Sequence, residues 1–335
     1  MKRLFTNTGL LLLFPLMLAA QSMVGTKAAP FLGIEVGGRS LGMGGANVAS
    51  VNDATALYWN PGAAASLMGS EVLFVHTGYL ADTRFDYVAG VFQMPGFGVI
   101  GISTTVLDYG NMLHTTVEKP EGDGLTFTAT DLAVGVTLAR AMTDRFFIGG
   151  TMKYIQQRIW HEQASAMALD LGTLYRTGFR GLTIGMSISN FGSPLQLVGH
   201  DLDHFYDIAP DLKGNNSKIV SSLKTDPFNL PILFRAGLVM DIFNQGPLQL
   251  KIAIDALHPN YNNESVNIGS ELLLFNQLAI RAGYKSLFLE DSEEGLTLGA
   301  GLNVPLTGVR LRADYGYQIF GRLTEIQNFS VALVF

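Results

Sequence analysis

The stretch "VRLRADYGYQIF", Val309 to Phe320, decides how this chain must be read. Val309, Leu311, Ala313, Tyr315, Tyr317 and Ile319 fall on alternate positions, and Arg310, Arg312, Asp314 and Gln318 on the positions between them. Strand side chains alternate with a period of two, so the segment reads as a strand with one oily face and one wet face. The same dyad returns in Leu248/Leu250/Ile252/Ile254 against Gln249/Lys251/Asp255, and in Leu132/Val134/Val136/Leu138 against Asp131/Gly135/Thr137. It returns again in Leu182/Ile184/Met186/Ile188 and in Leu296/Leu298/Ala300/Leu302. About fourteen such segments follow Glu71, each near the ~10 residues of a transmembrane strand.

Composition points the same way. Of 335 residues, 48% are hydrophobic and 15% charged, against the ~25% charged expected of soluble domains. Residues 1–22 read as a secretory signal: Lys2 and Arg3, then the apolar run Leu10 to Leu18, then Ala20-Gln21-Ser22. That run is shorter than the ~20 residues that span a bilayer. Without Lys2 and Arg3 the formal charge goes from −6 to −8. An acidic chain without Lys/Arg clusters is a poor nucleic-acid binder. With no cysteine, disulfides and thiolate metal sites are excluded, which suits the periplasm or outer membrane.

The connections give a second test. Those after even-numbered strands are short: 93–98, 140–145, 176–181, 243–247, 275–277 and 304–308. The three longest, Leu107–Leu125, Phe191–Leu230 and 258–265, follow odd-numbered strands. Tight turns at one end and long loops at the other are the habit of outer-membrane barrels. About fourteen strands also enclose more space than side chains fill, so the oily face is expected to meet lipid and the wet face a polar lumen. The expected fold is therefore an all-β transmembrane, antiparallel outer-membrane barrel of about fourteen strands. Lys153, Asp170, Arg176, Arg310, Arg312 and Asp314 are expected to form a lumen charge network, because buried charges left unpaired are costly. The final strand "FSVALVF" ends on Phe335, the kind of aromatic carboxy terminus that barrel assembly machinery reads.

One segment breaks the alternation. Residues 23–69 are rich in Gly and Ala and are expected to form a partly helical plug, with residues 70–335 as the barrel. Gly42, Gly44 and Gly45 permit tight turns and close backbone approach. Asn52-Asp53 is a candidate cap for a helix over Ala54 to Trp59, and Pro61 forces Asn60 to be extended and stops that helix. Lumen-facing Gly135, Gly172, Gly185, Gly237, Gly269, Gly299 and Gly301 leave room for an inserted plug or let strands bend.

The segment Gly37 to Leu67 resembles the amino-terminal signature of the PorV/PorQ family, a branch of the FadL-like outer-membrane barrels. The matching residues are Arg39, Leu41 to Ala46, Asp53-Ala54 and Trp59-Asn60-Pro61. The resemblance implies a role in type IX secretion, docking secreted proteins by their carboxy-terminal sorting domains and passing them to surface attachment. Contacts are then expected on the two longest loops, with Phe205, Tyr206, Ile208, Phe228 and Leu230 as anchors; packing of these residues onto the barrel rim is the competing reading. The rival function is a FadL-like transporter of hydrophobic small molecules such as long-chain fatty acids. It predicts a greasy pocket beneath the loops and a strand kink near Gly96-Gly98-Gly101. FadL-like plugs usually carry Asn-Pro-Ala, which in fatty-acid transporters lies by a wall opening; Asn60-Pro61-Gly62 stands here.

Other chemistries find little support. "GMGG" lacks a preceding strand and a phosphate-loop Lys. His200-Asp201-Leu202-Asp203-His204 carries candidate metal ligands, but a solvated loop accounts for it better. The six histidines are scattered, and none sits beside a nucleophile. No enzyme, cofactor or metal is expected; the expected partners are membrane lipid, the assembly machinery, and either a secreted protein or a hydrophobic molecule.

Overall fold

The structure, a computed structural model, describes Gly25 and residues 27–335 apart from 213, 215–217 and 291. The expected signal at 1–22 lies outside the described residues. A closed barrel is built from β1 (Glu71–Gly78), β2 (Arg84–Met94), β3 (Gly98–Leu113), β4 (Thr126–Ala141), β5 (Phe146–Ile159), β6 (Glu162–Arg176) and β7 (Thr183–Gly192). A short hairpin, β8 (Asp203–Tyr206) with β9 (Ile219–Ser222), interrupts the wall sequence. The barrel resumes with β10 (Leu233–Gln245), β11 (Leu248–Pro259), β12 (Ser265–Leu274), β13 (Leu278–Leu287), β14 (Leu296–Pro305), β15 (Arg310–Ile319) and β16 (Glu325–Val334). Fourteen strands thus form the wall, each antiparallel to its neighbours, and β1 closes on β16 from Glu71↔Val334 to Gly78↔Gln327. Closure leaves no unpaired edge, which is the condition for crossing lipid in strands.

The dyad pattern behaves as the alternation predicts. On β6, residues alternate between buried and exposed along most of the strand, with Met167, Leu169 and Leu171 each about half exposed on the outside. Phe74, Val136, Ile254, Ile280, Leu298 and Phe329 repeat this around the circumference. Such a continuous apolar belt is stable only against lipid. No helix among the described residues is long and apolar enough to cross a membrane.

The wall is uneven in height. β3 to β6 run to 14–16 residues, whereas β7 and β12 to β16 have 10 each. At ~3.4 Å per residue the first group is roughly 14–20 Å longer along the strand, which at a tilt of ~40° makes that wall about 10–16 Å taller. The excess lies on the long-loop side, which the short-turn rule makes extracellular.

Candidate functional site

The lumen is filled by the segment before β1. It starts at the outer mouth, where the Ala28 amide donates to Asn229 O (3.0 Å) and the Ala29 amide to Gln157 Oε1 (2.9 Å). It leaves at the periplasmic end, where Ser70 exchanges two backbone hydrogen bonds with Phe335. Between these points lie α1 (Gly38–Gly42), α2 (Ala56–Trp59) and a 3-10 turn at Pro61–Ser66. Both helices are too short to persist alone. The wall holds them, and it does so by omitting side chains. At Gly172, Gly185, Gly237, Gly269 and Gly299, plug atoms occupy the space where a Cβ would begin. Gly42 and Gly299 are reciprocal: a Cβ on either would stand 2.8 Å from the other's Cα. Gly135 and Gly301 instead accommodate wall side chains, such as Ser103 and Asp314 respectively.

On the β10–β16 side the plug meets charge. Arg39 of α1 makes a bidentate pair with Glu271 of β12 (3.0 and 3.1 Å) and donates to Asn47 Oδ1 (2.8 Å). Glu271 also accepts from Arg281 Nε (2.7 Å), and Arg281 Nη1 lies 2.8 Å from Asp314. Asp255 of β11 accepts the successive amides of Asn47 and Val48 through one oxygen (2.7 and 2.8 Å). At the periplasmic end Arg312 stands between Asp53 and Glu71 (3.8 and 3.7 Å). At the outer end Lys285 bridges Glu35 (3.1 Å) and Glu294 (2.8 Å). Burial pushes the Glu35 carboxyl above its ordinary value, with the Lys285 charge opposing. In the loop, burial also opposes ionisation of Glu294, but the Lys285 charge and hydrogen bond hold it below the usual range. Arg39, Glu271, Arg281 and Asp314 are buried, whereas Glu35, Glu294 and Arg312 are partly exposed; the bidentate Arg39–Glu271 geometry is what makes burial of that pair tolerable.

On the β1–β6 side the inward positions are mostly apolar. Val75, Phe85, Tyr87, Ala89, Ala133, Ile155, Ala164 and Ala166 face Phe31, Leu32, Leu57 and Ala63 of the plug in one buried cluster. Charged groups are fewer there: Lys153 and Asp170 pair with each other (2.8 Å), Asn190 also accepts from Lys153, and the buried Asp131 carboxylate accepts from Tyr109 Oη and Gln157 Nε2 (both 2.9 Å).

Asn60 joins the two sides. Its Nδ2 donates to Val48 O (2.8 Å) within the plug and to Thr173 O (2.9 Å) on β6, while its Oδ1 accepts from Gly62 N (3.1 Å). Asn60 is extended (φ −159°, ψ 96°), as the following proline requires, and α2 stops before it. The helix is shorter than expected. It begins at Ala56, and in the turn before it the Asp53 carboxylate accepts from Thr55 N (2.9 Å), the kind of bond a helix cap makes. Trp59 donates to Val36 O (2.9 Å), tying α2 to the strand-like approach of α1. Gly62 is required by its position: a Cβ there would stand 2.5 Å from Gly172 O.

Several expectations change. Arg176 and Arg310 do not join the buried network; both are exposed and line a periplasmic vestibule of about 700 Å³. The network instead centres on Arg39, Glu271 and Arg281. Phe205, Tyr206 and Ile208 are exposed on and beside the β8–β9 hairpin, and Phe228 is half exposed, but Leu230 is buried beneath the loop against the plug. The predicted kink near Gly96-Gly98-Gly101 is absent. β2 and β3 pair without interruption from Arg84↔Asp108 to Met94↔Gly98, and Leu57 fills the space in front of Gly101. The irregularity in β3 comes higher, between Asp108 and Asn111, in its pairing with β4. Beneath the loops, where a greasy pocket is expected, Phe31, Leu32 and Leu230 pack into the buried apolar cluster. A space of about 20 Å³ lies beside Phe31, Leu57 and Tyr87. His200 and Asp203 sit at the foot of the hairpin, and no group of three or more metal-ligating side chains forms among the described residues.

No protein-family model and no curated protein sequence matches the chain. Solved structures do match in fold. The CymD monoaromatic hydrocarbon channel aligns over 89% of this chain and 96% of its own, at 12% identity and a TM-score of 0.55. A Pseudomonas aeruginosa FadL homologue aligns over 90% and 98%, at 12% identity and a TM-score of 0.55. The Pseudomonas putida toluene transporter TodX aligns over 90% and 97%, at 13% identity and a TM-score of 0.53. The chain is a plugged outer-membrane β-barrel with the FadL-like fold.

Proposed function

We propose that the protein is an outer-membrane channel for hydrophobic small molecules, which pass along the β1–β6 side of the lumen. The observation that carries this reading is the asymmetry of the plug's attachment. On the polar side the plug is bound by ion pairs and aligned amides that an apolar molecule cannot replace. On the other side it is held by Phe31, Leu32 and Leu57 against small apolar wall residues, contacts that a hydrocarbon reproduces at little cost. The fold likeness to structures described as hydrocarbon channels and a toluene transporter supports the same reading. Passage requires the Phe31–Leu32 segment to yield, since both side chains are buried in the apolar cluster and the space beside Phe31 is about 20 Å³. Uptake of radiolabelled toluene and of a long-chain fatty acid by cells with and without the protein tests this. Faster uptake of either, abolished when Leu57→Arg places a charge in the apolar side, is the expected result; uptake equal to that of the empty strain refutes it.

Docking of secreted proteins, the role implied by the PorV/PorQ resemblance, is the second reading. Exposed Phe205, Tyr206 and Ile208 on the outer hairpin favour it, since aromatic anchors dominate protein interfaces. Native purification in mild detergent separates the two readings: co-purifying proteins that share a carboxy-terminal sorting domain indicate docking, and bound apolar molecules indicate a channel.

A further inference from the structure

We propose that the periplasmic turns joining β4 to β5 and β6 to β7 form a binding site for the headgroup of an anionic membrane phospholipid. The segments 140–145 and 176–181 carry Arg140, Arg145, Arg176 and Arg180 against one carboxylate, Asp144. The other four turns at this end, 93–98, 243–247, 275–277 and 304–308, carry no charged residue. The two charged turns are neighbours and are tied together. Arg176 N donates to Arg145 O (2.8 Å), and a Cβ on Gly178 would stand 3.3 Å from Arg145 Nη1. All four arginines are exposed, and among the described residues none has a carboxylate within ion-pair distance. Arg176 turns inward, over the Phe147 ring (4.8 Å) and into the periplasmic vestibule. Asp241 also lines that vestibule, against Gly181. Arg140, Arg145 and Arg180 remain, with Asp144, as the charge of the turns themselves.

Position decides the occupant. On β4 the lipid-facing phase runs Val136, Leu138, Arg140, and Arg140 stands opposite the exposed Ile148 of β5. A charge in that phase, one step beyond the apolar belt, meets the headgroup layer and not the lumen. Tyr175 ends the lipid-facing phase of β6 after Met167, Leu169 and Leu171, at the level where barrels carry an aromatic girdle. Met142 and Phe179 are exposed in the two turns, and the Arg180 guanidinium lies over the Phe179 ring (5.6 Å). Exposed apolar tips beside unpaired guanidinium groups fit a molecule that is apolar at one end and anionic at the other. Guanidinium groups hold phosphate oxygens through paired N–H donors, and each Arg near an anionic leaflet adds to the attraction. An acidic soluble protein would match the charge but leave the arginine in the lipid-facing phase unexplained. The site lies outside the lumen and does not depend on what the channel carries.

Native mass spectrometry of the purified full-length barrel in mild detergent tests the assignment, with phosphatidylglycerol and phosphatidylcholine of identical acyl chains as probes. The two share the phosphodiester and differ in net charge. Phosphatidylglycerol is expected to bind at least about tenfold more tightly. The triple variant Arg140→Gln, Arg145→Gln, Arg180→Gln is expected to remove that preference. A control triple variant at the extracellular end, Arg84→Gln, Arg158→Gln, Arg322→Gln, makes the same change of net charge among exposed residues and is expected to keep it. Where the periplasmic triple variant loses heat-modifiable gel mobility, Arg140→Gln alone carries the test, with an expected loss of about fivefold. Equal binding of the two lipids overturns the proposal. So does a preference that the periplasmic variants keep, or one that the control variant loses to the same extent.

Discussion

The two sides of the lumen hold the same plug by opposite means. Toward β10–β16, Arg39, Glu271, Arg281 and Asp314 form a continuous buried chain of charge, and Asp255 accepts two plug amides. Toward β1–β6, alanines and aromatic residues meet Phe31, Leu32 and Leu57 with few polar contacts. Charge networks are specific in direction and strongly coupled, so removing one member leaves another buried and unpaired. Apolar contacts are non-directional and open to substitution by any molecule of suitable shape. The polar side therefore acts as an anchor, and the apolar side is the part of the interface able to open.

The contrast breaks most severely at Arg39. Arg39→Met leaves Glu271 with Arg281 alone and takes from Asn47 Oδ1 one of its two donors, the other being Ser50 Oγ, at an expected cost of about 3–5 kcal/mol to plug attachment. Single-channel recordings in planar bilayers are expected to change from silent to intermittently conducting, and protease is expected to cut within residues 34–52. Next comes Phe31→Ala, which empties an apolar site at a cost of about 3 kcal/mol. Its signature is different: tighter binding of hydrophobic molecules, read by displacement of a fluorescent fatty-acid analogue, with no steady conductance. Asn60→Ala removes two hydrogen bonds within the plug and one from plug to wall. It is expected to cost about 1–3 kcal/mol and to raise amide exchange in both α2 and the segment around Thr173. The smallest effect belongs to Arg310→Ala at the periplasmic rim. It is exposed and outside the network, so the midpoint of unfolding in urea is expected to shift by no more than about 0.5 kcal/mol. An Arg310→Ala effect as large as that of Arg39→Met would dissolve the distinction between anchor and rim.

Much of this was legible in the chain. The strand walls follow from alternation, and the lipid-facing side follows from Val309, Leu311 and their equivalents on other strands. The glycine positions opposite the plug were legible from their inward phase, and five of the seven do face plug atoms. The partners of Arg39 were not, because Glu271 lies 232 residues away and sequence spacing carries no information about which strand the plug leans on. The apolar side did leave a trace that the dyad reading passes over. Ala133, Ala164 and Ala166 occupy inward positions, and alanine counts as neither clearly oily nor clearly wet. Leu230 follows the competing reading, a loop residue packed inward and not an exposed anchor, and loop membership alone does not tell the two apart.

A channel of this kind requires hydrophobic molecules to use one side of the lumen. The most direct measurement is photo-crosslinking of the purified barrel with a diazirine-bearing alkyl probe, with and without excess toluene, followed by peptide mapping. Labelling of lipid-facing residues is unaffected by a competitor that acts only in the lumen. Toluene-sensitive labels at Phe31, Ala133, Ile155 or Ala166 are the predicted result. Toluene-sensitive labels confined to the inward faces of β12 to β15, or none at all, would contradict it.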